Sequence, residues 1–266
     1  MDQQHDTLIV TPTLGLRTSL KRTVASVKHI GKGRVKHILV APSKHCFSLR
    51  KQFPELEVLE EPSSCKSIYE ALNFAFGLYA NSYKYCGFIN DDDYWLDGFE
   101  SLFKILDADI SVDVVYAKTL YVDKDNKIIG EQSCSSHYHA FYSLLSSGIT
   151  LFTQQATLSR SKWYADVPLF DTNYALVADT KFWWQIIKKG AKLKYINRVC
   201  AAYMVQEGQL SSNTQLQLKE IKQLLAEDRN KIKFIILFHK IIFKIINTPL
   251  YIKRYFYLGK MSSPFK

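Results

Sequence analysis

The sequence predicts an α/β protein, a mixed but mostly parallel sheet flanked by helices, followed by a basic helical tail. Three observations carry this expectation. Short apolar runs alternate with amphipathic stretches over the first 110 residues, the pattern of βαβ units. The apolar run at 85–89 ends abruptly in Asp91, Asp92 and Asp93, at the place where open α/β sheets hold ligands, just beyond the carboxyl ends of strands. Charge is also uneven: of a net +10, residues 214–266 contribute 11 Lys and Arg against 3 Asp and Glu. That shift divides the chain into a body, 1–213, and an extension, 214–266.

The elements follow in order. Residues 7–10 read as a first strand, closed by Thr11-Pro12-Thr13 and followed by a helix with Leu20, Val24 and Val27 on one face. Residues 35–41 and 56–59 read as the second and third strands. Residues 66–80 form a strong helix with Ile68, Leu72, Ala75, Phe76 and Tyr79 on one side. After the aspartates, Asp97-Gly98-Phe99-Glu100 has the spacing of a capping box. Residues 112–117 and 120–122 read as two strands, and 130–147, without clear period, as a loop or short helix. Ala178-Asp179 opens a helix over 180–189 that Gly190 closes, and 193–203 is extended.

Composition removes several function classes. At 266 residues, 47% hydrophobic and 14% aromatic, the chain has ample material for a core and is not disordered. Five cysteines, odd in number and without a CxxC pair, read as reduced thiols of a cytosolic protein rather than a disulfide or zinc framework. The amino terminus is polar and lacks signal-peptide form. The body carries only about +2 of the net charge, so no nucleic-acid footprint covers it.

The tail has its own pattern. Residues 216–225 read as an ordinary helix. Residues 231–246 are densely apolar, with Lys233, Lys240 and Lys244 at spacings that gather them on one face. Pro249 stops this helix, and a basic-aromatic mixture continues to 257. The apolar run is too short to span a bilayer, yet it suits a helix lying in the interface beside anionic lipid. Residues 229–258 are thus expected to place a cytoplasmic protein peripherally at the inner face of the cell membrane.

Three adjacent carboxylates repel one another unless a cation shares them. In an extended or turning backbone residues two apart point the same way, so Asp91 and Asp93 are expected to converge on one hard divalent ion, Mn2+ or Mg2+. A solvated acidic loop is the plainer alternative. Asp97, in its capping box, is left outside the cluster.

The order of these segments resembles the family-2 glycosyltransferases, inverting enzymes of the Rossmann-like type-A glycosyltransferase fold. The resemblance covers residues 6–213. It rests on Thr7-Leu8-Ile9-Val10-Thr11-Pro12-Thr13, Lys66-Ser67-Ile68-Tyr69-Glu70-Ala71-Leu72-Asn73, the strand and DxD-type cluster at 87–95, Gln154-Gln155-Ala156-Thr157 with Phe170-Asp171, and Ala178-Asp179-Thr180-Lys181-Phe182-Trp183. It implies transfer of one sugar from a nucleotide-diphosphate sugar to an acceptor hydroxyl, in assembly of a surface polysaccharide or glycolipid. Asp179 is then the catalytic base, in preference to Asp171, although an Asp at a helix start is also a common cap. Asp91 and Asp93 hold the metal, Asp92 meets donor hydroxyls, and Thr11, Pro12, Thr13 and Lys66 line the donor site. Glu207-Gly208-Gln209-Leu210-Ser211 resembles a donor-side G-G-x-S loop with Gln209 in place of a glycine. Ala41-Pro42-Ser43-Lys44 lacks the acidic residue that meets the nucleobase in relatives, so a UDP-sugar is the expected donor only as the commonest one. The acceptor is a saccharide or lipid-linked saccharide.

Two other functions use a similar sheet. A sugar-nucleotide nucleotidyltransferase needs a glycine-rich basic loop after the first strand, which Thr13-Leu14-Gly15-Leu16-Arg17 matches poorly. A non-catalytic nucleotide-sugar-binding adaptor would not need Asp91, Asp93 and Asp179 together.

Overall fold

The structure, a computed structural model, describes residues 5–166, 169–206, 209, 213–227 and 233–259. The first strand, β1 (Thr7–Pro12), is buried along its whole length, which is why it reads as an unbroken apolar run. It is followed by α1 (Leu20–Gly31), β2 (Val35–Ala41), α2 (Ser43–Gln52), β3 (Glu57–Glu60), α3 (Ile68–Tyr79), β4 (Tyr85–Phe88) and the short β5 (Tyr94–Trp95). Then come α4 (Glu100–Ala108), β6 (Val114–Val122), β7 (Ile128–Glu131), α5 (Phe141–Leu145), β8 (Thr157–Arg160), α6 (Lys162–Asp166), α7 (Ala178–Lys188) and β9 (Leu193–Met204). The tail supplies α8 (Thr214–Ala226), α9 (Lys233–Ile246) and α10 (Thr248–Leu258).

Among the described residues nine strands form one sheet in the order β3-β2-β1-β4-β8-β6-β9-β5, with β7 beside β6. β1 pairs in parallel with β2 and β4, β2 with β3, and β6 with β9. β8 enters antiparallel between β4 and β6, so the sheet is mixed, yet the parallel ladders hold most paired positions. One face is covered by α3, α5 and α7, where Leu72, Phe76, Phe141, Leu144, Phe182 and Trp183 pack on Leu8, Val10 and Phe88. The other carries α4 and the turn just before it, with Phe99, Phe103 and Leu106 on Ile9 and Val115.

Several local expectations change. The stretch at 43–52, to which the sequence pattern assigns no element, is helix α2, started at Pro42 in extended geometry (ψ 145°). Residues 112–122 do not divide into two strands: β6 is one strand of 9 residues whose register against β9 slips near Lys118. The capping box at Asp97 is not made. Asp97 is highly exposed beside His29, and α4 starts without a side-chain cap. The turn there is set instead by close approach, since a Cβ on Gly98 would lie 2.1 Å from the Val199 carbonyl oxygen.

Pro249 does more than stop α9. It opens α10 in the first turn, where its missing N–H costs nothing. The boundary at 213/214 marks a change of charge and not an edge of the core: Leu224 of α8 and Phe243 of α9 belong to the same buried cluster as β1 and α3.

Candidate functional site

The carboxyl ends of β1 and β4 lie side by side, and the loop after β4 is pinned from all directions. Ser19 Oγ donates to the Asp91 carbonyl (3.0 Å) and Thr23 Oγ1 to the Asp93 carbonyl (2.6 Å). The Trp95 N–H donates to Ser26 Oγ (3.1 Å). These three partners sit at and after the start of α1, so that helix orders the acidic loop.

The three aspartates face different ways. Asp93 is fully buried. Its Oδ2 accepts from Gln155 Nε2 (2.6 Å) and Asn90 Nδ2 (3.2 Å), and its Oδ1 from the Met204 N–H (3.0 Å). Burial pushes its carboxyl up to about 7. Beside the expectation that Asp91 and Asp93 share one ion, Asp93 here gives its acceptors to protein donors, tying the end of β4 to β9 and to the turn at Gln154–Ala156. The i, i+2 rule fails because the chain turns at 90–93, where the Asp93 N–H donates to the Asn90 carbonyl (3.2 Å).

The pair that shares a partner is Asp91 with Asp92. Asp91 Oδ2 accepts from Thr13 Oγ1 (2.7 Å), and its Oδ1 lies 3.6 Å from Arg17 Nε. Asp92 Oδ2 accepts from Arg17 Nη1, Gln209 Nε2 (2.9 Å) and Gln206 Nε2 (3.2 Å). Arg17 reaches them from a loop turned by Gly15 at φ +69°, with the Gly15 N–H on Thr13 Oγ1 (2.9 Å). Burial raises the Asp91 carboxyl, against the opposing pull of Thr13 and Arg17. Two carboxylates aimed at one cationic point form a hard, all-oxygen donor set of the kind a divalent ion takes together with phosphate oxygens. Arg17, with 41% of its side chain exposed, could move aside. Among the described residues no cluster of three or more His, Cys, Asp or Glu could hold a metal.

Beside this pair opens a cleft of about 500 Å³, lined by Arg17, Ser19, Arg22, Lys124, Met204 and Gln206 among others. Among the described residues its lining carries three cations and no carboxylate. Arg22 is held over the Tyr94 ring (4.1 Å) and bonds Asn126 Oδ1.

The other expected donor-site residues scatter. Thr13 joins the site through Asp91. Thr11 is fully buried, its hydroxyl 2.9 Å from His37 Nε2, and burial holds His37 near 3 and hence neutral. Pro12 is the buried last residue of β1. Lys66 is exposed ahead of α3, where its backbone N–H meets Glu70 and Ser67 caps the Glu70 N–H (3.3 Å). Among the described residues no contact joins Lys66 to the aspartates. The G-x-x-S-like loop at 207–211 lies outside the described residues except for Gln209.

Asp179 stands in the first turn of α7, half-buried. A chain of rings joins it to β4: Phe88 lies 5.3 Å from Phe170, Phe170 lies 5.6 Å from Tyr69, and the Tyr69 hydroxyl reaches Asp179 Oδ1 (3.4 Å) and the Leu176 carbonyl (3.2 Å). Oδ1 also accepts from the Thr180 N–H (2.7 Å). Among the described residues every hydrogen bond of this carboxyl falls on Oδ1 and none on Oδ2. Burial lifts it to about 6.

Asp179 is not the cap of α7. Val177 stands at the cap position, and Glu220 of α8, which is 5% exposed, holds the segment leading into the helix, accepting from three successive backbone N–H groups, those of Ala175 (2.8 Å), Leu176 (2.9 Å) and Val177 (3.2 Å). Asn73 clamps Phe170 from the other side, donating to its carbonyl (2.7 Å) and accepting its N–H (2.8 Å). Asp171 is engaged by Lys181 (2.8 Å). Sequence reasoning missed Arg17, Tyr69, Asn73 and Glu220 as parts of the site. For Glu220 a signal existed, a lone acid one turn ahead of Leu224 on the apolar side of its helix.

No protein-family model matches the chain, and no curated protein sequence does. Solved structures do. The S. aureus TarS 1–349 complex with UDP-GlcNAc superposes with a TM-score of 0.64 at 12% identity, covering 95% of this chain and 73% of that one. The complex of the same fragment with UDP gives 0.61 at 12% identity, over 86% and 67%. A further TarS structure gives 0.61 at 12% identity over 95% of this chain and 44% of that one. TarS is a glycosyltransferase. The fold is thus the α/β, Rossmann-like type-A glycosyltransferase fold that the sequence predicted, a mixed, mostly parallel sheet flanked by helices.

Proposed function

We propose that the chain is an inverting glycosyltransferase of the family-2 kind, moving one sugar from a nucleotide-diphosphate sugar to an acceptor hydroxyl during surface polysaccharide or glycolipid synthesis at the cytoplasmic face of a membrane. The observation that carries this reading is a division of labour among carboxylates. A pair at the end of β4 faces a cation and a basic cleft, while a separate half-buried carboxyl of raised pKa begins α7. Glycosyl transfer needs both, one place where a leaving diphosphate is neutralised and another where a hydroxyl proton is taken.

Asp91 and Asp92, in place of the Asp91–Asp93 pair, would hold Mn2+ or Mg2+ with the donor's phosphates. The ion, when bound, would offset the charge that builds on the departing diphosphate. Arg17, Arg22 and Lys124 supply further positive charge to the same phosphates, and Thr13 fixes Asp91. The solved TarS complexes with UDP and UDP-GlcNAc make a UDP-sugar the first donor to try. Asp179 Oδ2 takes the proton of the acceptor hydroxyl, which needs the carboxylate form. Tyr69 and Thr180 hold the other oxygen still.

Titration calorimetry with UDP-, GDP-, CDP- and dTDP-sugars, with and without Mn2+, tests the donor. Binding of at least one, tightened about tenfold or more by the ion, is expected. No nucleotide binding under any condition removes the enzyme reading, and binding without transfer to any acceptor leaves an adaptor.

Glu220 is a positioning residue in this scheme. Glu220→Gln keeps the shape but turns one acceptor oxygen into a donor facing backbone N–H groups. Turnover should fall about tenfold, or about 1.4 kcal/mol of transition-state stabilisation, with donor affinity unchanged. The acid limb of the pH–rate profile should also move. A purely structural Glu220 would lower the melting temperature and leave that profile in place.

A further inference from the structure

Of the eighteen large apolar side chains that stand exposed among the described residues, ten lie between residues 234 and 256, on α9 and α10. Phe234, Phe238, Ile241, Ile245, Ile252 and Phe256 follow one another at helical spacing along the outside of both helices, with Phe234 74% and Phe256 79% exposed. The inside of the pair is fixed. Phe243 and Leu250 are buried, Asn247 at the bend donates to the Cys134 carbonyl (3.0 Å), and buried Arg254 bonds the Glu131 carbonyl and Ser133 Oγ (3.1 Å). The two helices are bent 55° to each other, and neither is long and apolar enough to cross a membrane alone. The protein therefore displays this apolar stripe on an anchored frame.

Charge selects what covers the stripe. Residues 229–266 hold nine Lys and Arg and no Asp or Glu. Lys253 is spent on Glu131 (3.3 Å), whereas Lys240 and Lys244 make no ion pair among the described residues. A second copy of the same stripe would bring these cations against each other. A surface with anionic headgroups above an apolar layer satisfies both features at once, because long basic side chains meet headgroups while the rings and branched chains enter below them. We infer that α9 and α10 together form a docking face for an anionic lipid bilayer, lying in its interface with the bent pair parallel to the membrane plane.

Vesicle co-sedimentation of the full chain tests this without donor or acceptor, so it succeeds or fails independently of transfer. Vesicles with about 30% phosphatidylglycerol in phosphatidylcholine should pull the protein down. Pure phosphatidylcholine, or about 0.5 M salt, should weaken binding tenfold or more. Combining Phe238→Glu, Ile241→Glu and Ile245→Glu, all exposed, should abolish binding at an unchanged melting temperature. Lys240→Glu with Lys244→Glu should weaken it at low salt only. Protein that stays in the supernatant with anionic vesicles overturns the inference. So does a dimer in light scattering that the triple variant dissociates, since a second copy then owns the face. Resistance to alkaline extraction would replace interfacial docking by an embedded hairpin.

Discussion

Asp179→Asn is expected to lower turnover by about 10²- to 10⁴-fold, the usual loss for a general base, while nucleotide-sugar affinity stays within about twofold of the wild type. The amide keeps an Oδ1 for Tyr69 and Thr180 and loses only the ability to accept a proton. Burial of the carboxyl to about 6 adds a second signature. A general base acts ionised, so under the proposed mechanism wild-type turnover should fall about tenfold per pH unit below about 6 and level off above it. The fold behaves in the opposite sense. Because this carboxyl binds its proton more tightly folded than unfolded, its ionisation costs stability, and the cost grows as pH rises from about 4 to about 6. The Asn variant should therefore melt no lower than the wild type at pH 7.5. A variant that loses turnover only because it unfolds would show that Asp179 is structural. A surviving pH limb in a still active Asn variant would assign the proton to another group.

The sheet was legible because its strands are buried on both sides and so read as continuous apolar runs. β1, β2 and β4 were placed within a residue or two for that reason. α2 escaped because Ser43, Lys44, Phe47 and Lys51 face water and only Cys46 and Leu49 are buried. Two inward residues in a ten-residue helix leave little periodicity to see. The opening of α10 escaped because proline reads as a stop, although the first turn of a helix is where it fits.

At the site, location was legible and orientation was not. An apolar run ending in three aspartates marks the end of a strand at the edge where ligands bind. Which of the three faces outward depends on Gln155 and Met204, which arrive 62 and 111 residues later in the chain. Arg17 and Glu220 follow the same logic. Their partners are set by how α1 and α8 pack, and no spacing within either segment encodes that. The resemblance singled out Asp179, and its position inside the first turn of α7, after Val177 at the cap, appears only in the fold.

The aspartate assignments separate most sharply in a pair of alanine variants. Asp92→Ala should leave the melting temperature within about 2 °C and abolish the Mn2+-dependent part of donor binding. It removes the carboxylate that faces Arg17 and the cleft. Asp93→Ala should do the reverse at low pH. It strands the Gln155 amide, the Asn90 amide and the Met204 N–H, which together cost about 3 kcal/mol, or roughly 10 °C for a chain of this size. The penalty must also depend on pH. The folded-state pKa of Asp93 is raised to about 7 by burial, so the stability it lends is largest in acid and is lost as pH rises from about 4 through about 7, at up to about 1.4 kcal/mol per unit. The gap between wild type and Asp93→Ala should therefore be wide at pH 5 and nearly closed at pH 8. A gap that does not change with pH would mean that Asp93 is ionised and paired with a cation throughout, which would return it to the metal site that the i, i+2 spacing first suggested.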